Sequence, residues 1–159
     1  MTRIAVIGLG YIGLPTATVL ALRGFDVLGV DVSQQVVDTL KQGKIHIVEP
    51  DLDISVAAAI QSGSLQVSTK PTPADVFIIA VPTPFKDGHE PDLAYVEAAS
   101  LAIAPHLVPG NLVILESTSP VGTTQKVSEW LARERPDLEL PHDHPQDANI
   151  NVAHCPERV

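Results

Sequence analysis

The chain has 159 residues, ten Lys and Arg against nineteen Asp and Glu, and a formal charge of −9 at neutral pH. Its length suits one domain with a real core, and 45% hydrophobic residues with a mean hydropathy of +0.18 exclude an intrinsically disordered chain. A pI near 4.9 argues against nucleic acid or an anionic membrane as partner, since both are bound by clustered Lys and Arg.

No apolar run approaches the ~20 residues of a membrane helix, and Ile4–Ile7 is too short for the apolar region of a signal peptide. Cys155 is the single cysteine, which excludes a disulfide framework and suits a reducing compartment. A cytoplasmic globular domain is the expectation.

Short apolar runs alternate with segments of helical period, the pattern of an α/β sheet. Ile4-Ala5-Val6-Ile7 predicts a first strand buried on both faces. A helix follows over Ile12–Arg23, with Leu14, Ala17, Ala21 and Leu22 at core-facing intervals and Gly24 as its stop. Pro15 is tolerated there because first-turn N–H groups lack helical partners. Phe25–Val30 reads as a second strand, and Ser33 as the N-cap of a helix running to Gln42.

A helix over Leu52–Gln61 and a short strand at Leu65–Ser68 come next, then a central strand over Asp75–Val81. Pro82, Pro84, Gly88 and Pro91 mark a long loop. Leu93–Ala104 predicts a helix, Leu112–Leu115 a buried strand, Thr124–Arg133 a helix, and Ile150–Ala153 a last strand. About six strands joined mostly through helices predict one Rossmann-type doubly wound, mainly parallel sheet with helices on both faces.

Gly8-Leu9-Gly10-Tyr11-Ile12-Gly13 is a G-x-G-x-x-G placed directly after the first strand and opening the first helix. In that context the pattern is a dinucleotide fingerprint. Gly8 makes the tight turn, Gly10 admits a pyrophosphate to the backbone, and Gly13 lets helix and strand pack closely. The helix N-terminus then faces the anion, so an acidic protein can still bind an anionic cofactor locally. Asp31 lies eighteen residues past Gly13, at the end of the second strand. A carboxylate there accepts hydrogen bonds from ribose hydroxyls and repels a 2′-phosphate. No arginine follows in Val32-Ser33-Gln34-Gln35, which favours NAD over NADP.

Glu116-Ser117-Thr118-Ser119-Pro120-Val121-Gly122-Thr123-Thr124 begins at the C-terminal end of a predicted strand, where open α/β sheets bind ligands. Its hydroxyls either line a polar pocket or cap the next helix. His142-Asp143-His144 and His46 with Glu49 have the look of metal pairs, but they lie in proline-flanked segments without further ligands nearby. They read as solvated loop, and no metal is expected. Cys155, beside a predicted buried strand, reads as a structural thiol rather than a nucleophile.

Five segments in order resemble the UDP-glucose/GDP-mannose dehydrogenase family: Val6–Pro15, Ile47–Pro50, Val81–Pro84, Glu116–Thr124 and Cys155–Val159. Ile45–Leu52, Pro84-Phe85-Lys86 and the terminal Cys-Pro-Glu-Arg-Val are most similar to members acting on UDP-N-acetyl-D-mannosamine. The resemblance implies oxidation of a nucleotide sugar's C6 alcohol to the carboxylate with two NAD⁺, in the service of polysaccharide synthesis. UDP-glucose or UDP-N-acetylglucosamine is the alternative substrate, and a non-catalytic NAD-binding sensor the alternative function.

The same resemblance implies that Tyr11, Ile12, Asp31, Thr83 and Thr124 contact the cofactor beside Gly8, Gly10 and Gly13. Thr118 would hold a water on the nicotinamide side, and Glu157 would act as base or electrostatic partner in the late hydrolysis. Arg158 and Val159 would sit at the rim of the UDP-sugar site. The family's nucleophilic cysteine and essential lysine belong to a second half that these 159 residues do not contain. The chain is therefore expected to be the cofactor half, inactive alone, with the full-length enzyme a homo-oligomer and this portion a monomer.

Overall fold

The computed structural model describes residues 1–85 and 91–156 of the chain. Strands and helices follow as β1 (Arg3–Ile7), α1 (Gly13–Leu22), β2 (Asp26–Val30), α2 (Gln34–Lys41), α3 (Leu52–Gln61), β3 (Leu65–Ser68), β4 (Val76–Ile79), α4 (Ala94–Ile103), β5 (Leu112–Leu115), α5 (Thr123–Glu134) and β6 (Asn151–His154). A 3-10 turn over Ala104–His106 extends α4 and was not foreseen from the sequence. The six strands form one parallel sheet in the order β3-β2-β1-β4-β5-β6. This is the Rossmann-type doubly wound fold that the alternating pattern predicts. The chain reverses its direction of travel across the sheet between β1 and β4, so a crevice opens above those two strands.

Residue chemistry explains the elements. Ala5 and Val6 of β1 are fully buried, one in each of the two core layers, as a central parallel strand requires. Ser33 caps α2 by accepting the Val36 N–H at 3.4 Å, and Gly43, at φ 71°, ends that helix where a left-handed residue is needed. Pro15 sits in the first turn of α1, where it breaks no hydrogen bond.

The connection from β3 to β4, for which the sequence predicts no helix, carries none: residues 69–75, with Pro71 and Pro73, pass from β3 to β4 as an irregular strap. Ala74 of that strap is buried with Leu28 and Val30 in the layer that α4 and α5 also pack against. Strand β4 is shorter than Asp75–Val81 because the Asp75 carboxylate accepts the Arg3 N–H at 2.7 Å, fastening the strap before the strand begins. Strand β6 also differs from the expectation, because it is not buried. Val152 packs toward the α4–α5 layer, while Asn151 and Ala153 on the other face are exposed. Cys155, just beyond this edge strand, is exposed rather than buried. No helix among the described residues is long and apolar enough to cross a membrane.

Candidate functional site

The glycines of the fingerprint separate into two kinds. Gly8 leaves β1 at φ 96°, and its N–H donates to Val30 O at 2.8 Å, so the turn is tied to β2. A Cβ on Gly8 would lie 2.5 Å from Ala80 O, and one on Gly13 only 1.8 Å from Gly8 O. Both positions are closed to any side chain by the protein's own backbone. Gly10 differs, since a Cβ there would meet nothing within 4 Å. Its φ lies outside the positive range, so neither packing nor backbone conformation demands glycine. What glycine preserves at this position is open space before the N-terminus of α1, a helix whose start no side chain caps.

Leu9 fills the gap between the two kinds. It is fully buried, and its methyl groups occupy the place where a Cβ of Gly29 would be 2.9 Å away. Its N–H donates to Asp31 Oδ2 at 3.1 Å, while Asp31 Oδ1 accepts the Ser33 N–H at 2.9 Å. The half-buried Asp31 carboxylate is thus held by both the glycine loop and the β2–α2 turn, and its orientation is fixed in advance of any ligand. Beside it lies a cleft of about 320 Å³, walled by Val30, Val32, Pro71, Pro82 and Tyr95. Among the described residues, Asp31 is the single charged one of its lining. Such a cleft accepts a flat apolar ring with a hydroxylated sugar at its mouth. Its α4 wall, built from Tyr95, Ala98 and Ala102, was not anticipated, although small residues four apart on a predicted helix are a usable signal.

The β5–α5 loop forms the other flank of the crevice. Glu116 Oε1 accepts from Thr16 Oγ1 of α1 at 2.9 Å. Ser117 Oγ, buried, donates to Val81 O at 2.8 Å, and Thr83 Oγ1 donates to the Thr118 carbonyl. Three consecutive residues therefore anchor the loop to α1 and to the β4–α4 loop. The side chain of Thr118 remains exposed, and Ser119 Oγ is buried without a partner among the described residues. The hydroxyls of this stretch do not cap the next helix: α5 begins after Gly122 at φ 90° with no side-chain cap.

The candidate residues are not all brought together. Gly8 and Asp31 share the apolar cleft, and Thr83 and Thr118 meet across the crevice. Tyr11 and Ile12 border a different hollow of about 430 Å³ along α1, with Pro15, Thr16, Val19 and Glu49. Thr124, the second residue of α5, lines a small recess with Ser128, His142 and Val152. Glu157, Arg158 and Val159 lie outside the described residues, as do Lys86 and Gly88 of the Pro82–Pro91 loop.

His142 is not simply solvated. Its ring bonds Ser128 Oγ through Nδ1 at 2.8 Å and meets Asp143 through Nε2 at 3.1 Å, pinning the proline-rich segment to α5. Among the described residues no group of three or more His, Cys, Asp or Glu side chains could hold a metal ion.

Residues 2–159 match the model of the UDP-glucose/GDP-mannose dehydrogenase family, NAD binding domain. The chain is 62% identical over 156 residues to the NDP-N-acetyl-D-galactosaminuronic acid dehydrogenase of Ralstonia nicotianae, covering 98% of this chain and 37% of that protein. It is 60% identical over 158 residues to the UDP-N-acetyl-D-mannosamine dehydrogenase of Campylobacter jejuni, covering 99% and 39%. The solved UDP-N-acetyl-mannosamine dehydrogenase of Staphylococcus aureus superposes with a TM-score of 0.89 at 42% identity, over 99% of this chain and 37% of that one. The chain thus spans well under half the length of these relatives.

Proposed function

Because the chain belongs to the UDP-glucose/GDP-mannose dehydrogenase family, as its NAD binding domain, we propose that it is the cofactor half of a UDP-N-acetyl-D-mannosamine 6-dehydrogenase. The overall conversion takes a C6 alcohol, one water and two NAD⁺ to a carboxylate, two NADH and three protons. NAD⁺ supplies the hydride acceptor in each of the two oxidations. The residues of this chain bind and orient it. The open space at Gly10 before the uncapped α1 suits a pyrophosphate, Asp31 suits the adenosine ribose hydroxyls, and the apolar cleft beside Asp31 suits the adenine.

The observation that carries this reading is Gly10, a glycine that neither packing nor backbone conformation requires, before the uncapped start of α1. Thr83 and Thr118 border the side of the crevice assigned to the nicotinamide, where Thr118 would hold a water. Glu157 is assigned as the base or electrostatic partner of the hydrolytic step, Arg158 and Val159 as the rim of the UDP-sugar site, and Tyr11, Ile12 and Thr124 as further cofactor contacts. We place the enzyme in the cytoplasm and its uronate product in polysaccharide synthesis; the exposed Cys155 thiol suits a reducing compartment.

A galactosamine-type substrate is the second reading, supported by the 62% identity to the Ralstonia nicotianae enzyme. The test is NADH formation at 340 nm by the longer protein carrying this chain, offered UDP-N-acetyl-D-mannosamine, UDP-N-acetyl-D-galactosamine and UDP-glucose. Two NADH per UDP-N-acetyl-D-mannosamine, with the other sugars turned over at least tenfold more slowly, is the expected result. Preference for another of the three overturns the substrate assignment. The 159-residue chain alone should show no turnover with any of them, and NADH formed by it would overturn its assignment as a cofactor half.

A further inference from the structure

Strands β1 and β5 are separated by β4, so the loops that leave them stand roughly 10 Å apart at sheet spacing. Backbone hydrogen bonds from the Glu116 and Ser117 N–H groups to Ile79 O carry the attachment to β4 two residues past β5. In addition, Thr16 Oγ1 donates to Glu116 Oε1 at 2.9 Å and links α1 directly to the β5–α5 loop. Thr16 is the fourth residue of α1, one turn past the glycine loop, and Glu116 is the first residue after β5.

The orientation of the Thr16 hydroxyl is informative. A threonine inside a helix ordinarily donates back to the carbonyl four residues earlier. Thr18 does so to Leu14 O at 2.7 Å, and Thr39 to Gln35 O at 2.8 Å. Thr16 instead reaches out of its helix to a carboxylate a hundred residues away. On the other side of Glu116, Ser117 and Thr118 tie the same loop to Val81 and Thr83. The segment from Glu116 to Thr118 is therefore a platform tied to β4 through Ile79 O and to α1 through the charge-assisted bond from Thr16.

We propose that Thr16 and Glu116 are positioning residues: their bond sets the width of the crevice so that both halves of one dinucleotide are engaged at once. The proposal rests on the reading that the nicotinamide half meets the β5–α5 loop. ADP-ribose, which lacks nicotinamide, should then be indifferent to the clasp, whereas NAD⁺ should depend on it.

Isothermal titration of NAD⁺ and ADP-ribose against the unaltered chain and its Thr16 variants tests this. Thr16→Val, equal in size but without the donor, should weaken NAD⁺ about tenfold, the scale of one lost charge-assisted hydrogen bond, and leave ADP-ribose within about twofold. Thr16→Ser, which keeps the hydroxyl, should restore the NAD⁺ value. Glu116→Gln, which keeps an acceptor but loses the charge, should show the same selective loss at about threefold, and it serves if Thr16→Val does not fold. Equal weakening of both ligands, or no change in either, overturns the clasp while leaving the NAD assignment standing. Equal affinity of the unaltered chain for NAD⁺ and ADP-ribose overturns the premise that the second loop meets the nicotinamide half.

Discussion

At the residue scale, three glycines with one spacing do three different jobs, and only the structure separates them. Gly8 and Gly13 are required by the protein's own backbone, at 2.5 Å and 1.8 Å from the nearest carbonyl oxygen, whereas Gly10 faces open space. Gly13→Ala should therefore destabilise the fold by on the order of 3 kcal/mol or more, since neither backbone segment can yield cheaply. Gly10→Ala should change stability by no more than ~0.5 kcal/mol, yet lower NAD⁺ affinity at least tenfold, about 1.4 kcal/mol. Urea denaturation alongside titration separates the two effects. A Gly10→Ala protein as unstable as Gly13→Ala, or one binding NAD⁺ normally, would contradict this division. The fingerprint was legible in the sequence because its spacing and its place between strand and helix are both local. The tie from Asp31 to the Leu9 N–H was not, because it joins two loops twenty-two residues apart.

At the scale of elements, the helices and strands were legible almost throughout, because apolar periodicity and the stops at Gly24, Gly43 and Gly63 are written along the chain. The last strand was misjudged for a physical reason. Ile150 and Val152 do enter the core, but burial of an edge strand depends on what covers it, which periodicity cannot reveal. The 3-10 turn after α4 shows a similar dependence. Its end is held by Arg135, thirty-one residues away, whose Nη1 donates to Ala104 O at 3.0 Å and to Leu107 O at 2.8 Å.

Arg135 also makes two hydrogen bonds with the Asp137 carboxylate, at 2.8 and 2.7 Å. Those bonds hold the Asp137 carboxyl below the ordinary carboxylate range and raise the guanidinium above its own. Arg135→Ala should cost on the order of 1–3 kcal/mol, chiefly through the two carbonyls left without their donor, seen as a lower urea midpoint at unchanged slope. Asp137 has the depressed pKa, so its contribution is complete above the ordinary Asp value. It is lost as pH falls through the lowered folded value. Asp137→Asn should therefore flatten the acid side of the stability profile and lower stability by a constant amount at neutral and alkaline pH.

At the scale of the whole molecule, a chain of net charge −9 binds an anionic cofactor because the attraction is assembled locally. On the proposed reading, uncapped N–H groups at the start of α1 and the open space at Gly10 supply it, while Asp31, the one carboxylate of the cleft among the described residues, meets the sugar end of the ligand. The doubly wound order then sets the loops after β1 and β5 on the two sides of one crevice. On the proposed reading the carboxylate that accepts ribose hydroxyls repels a 2′-phosphate, and among the described residues no Lys or Arg lines the cleft to offset it. Titration of the chain with NAD⁺ and NADP⁺ is the most direct test of this arrangement. The account predicts NAD⁺ binding with NADP⁺ at least tenfold weaker, and Asp31→Ala weakening NAD⁺ by roughly 1–3 kcal/mol while narrowing that difference; comparable affinities of the unaltered chain for the two cofactors would contradict it.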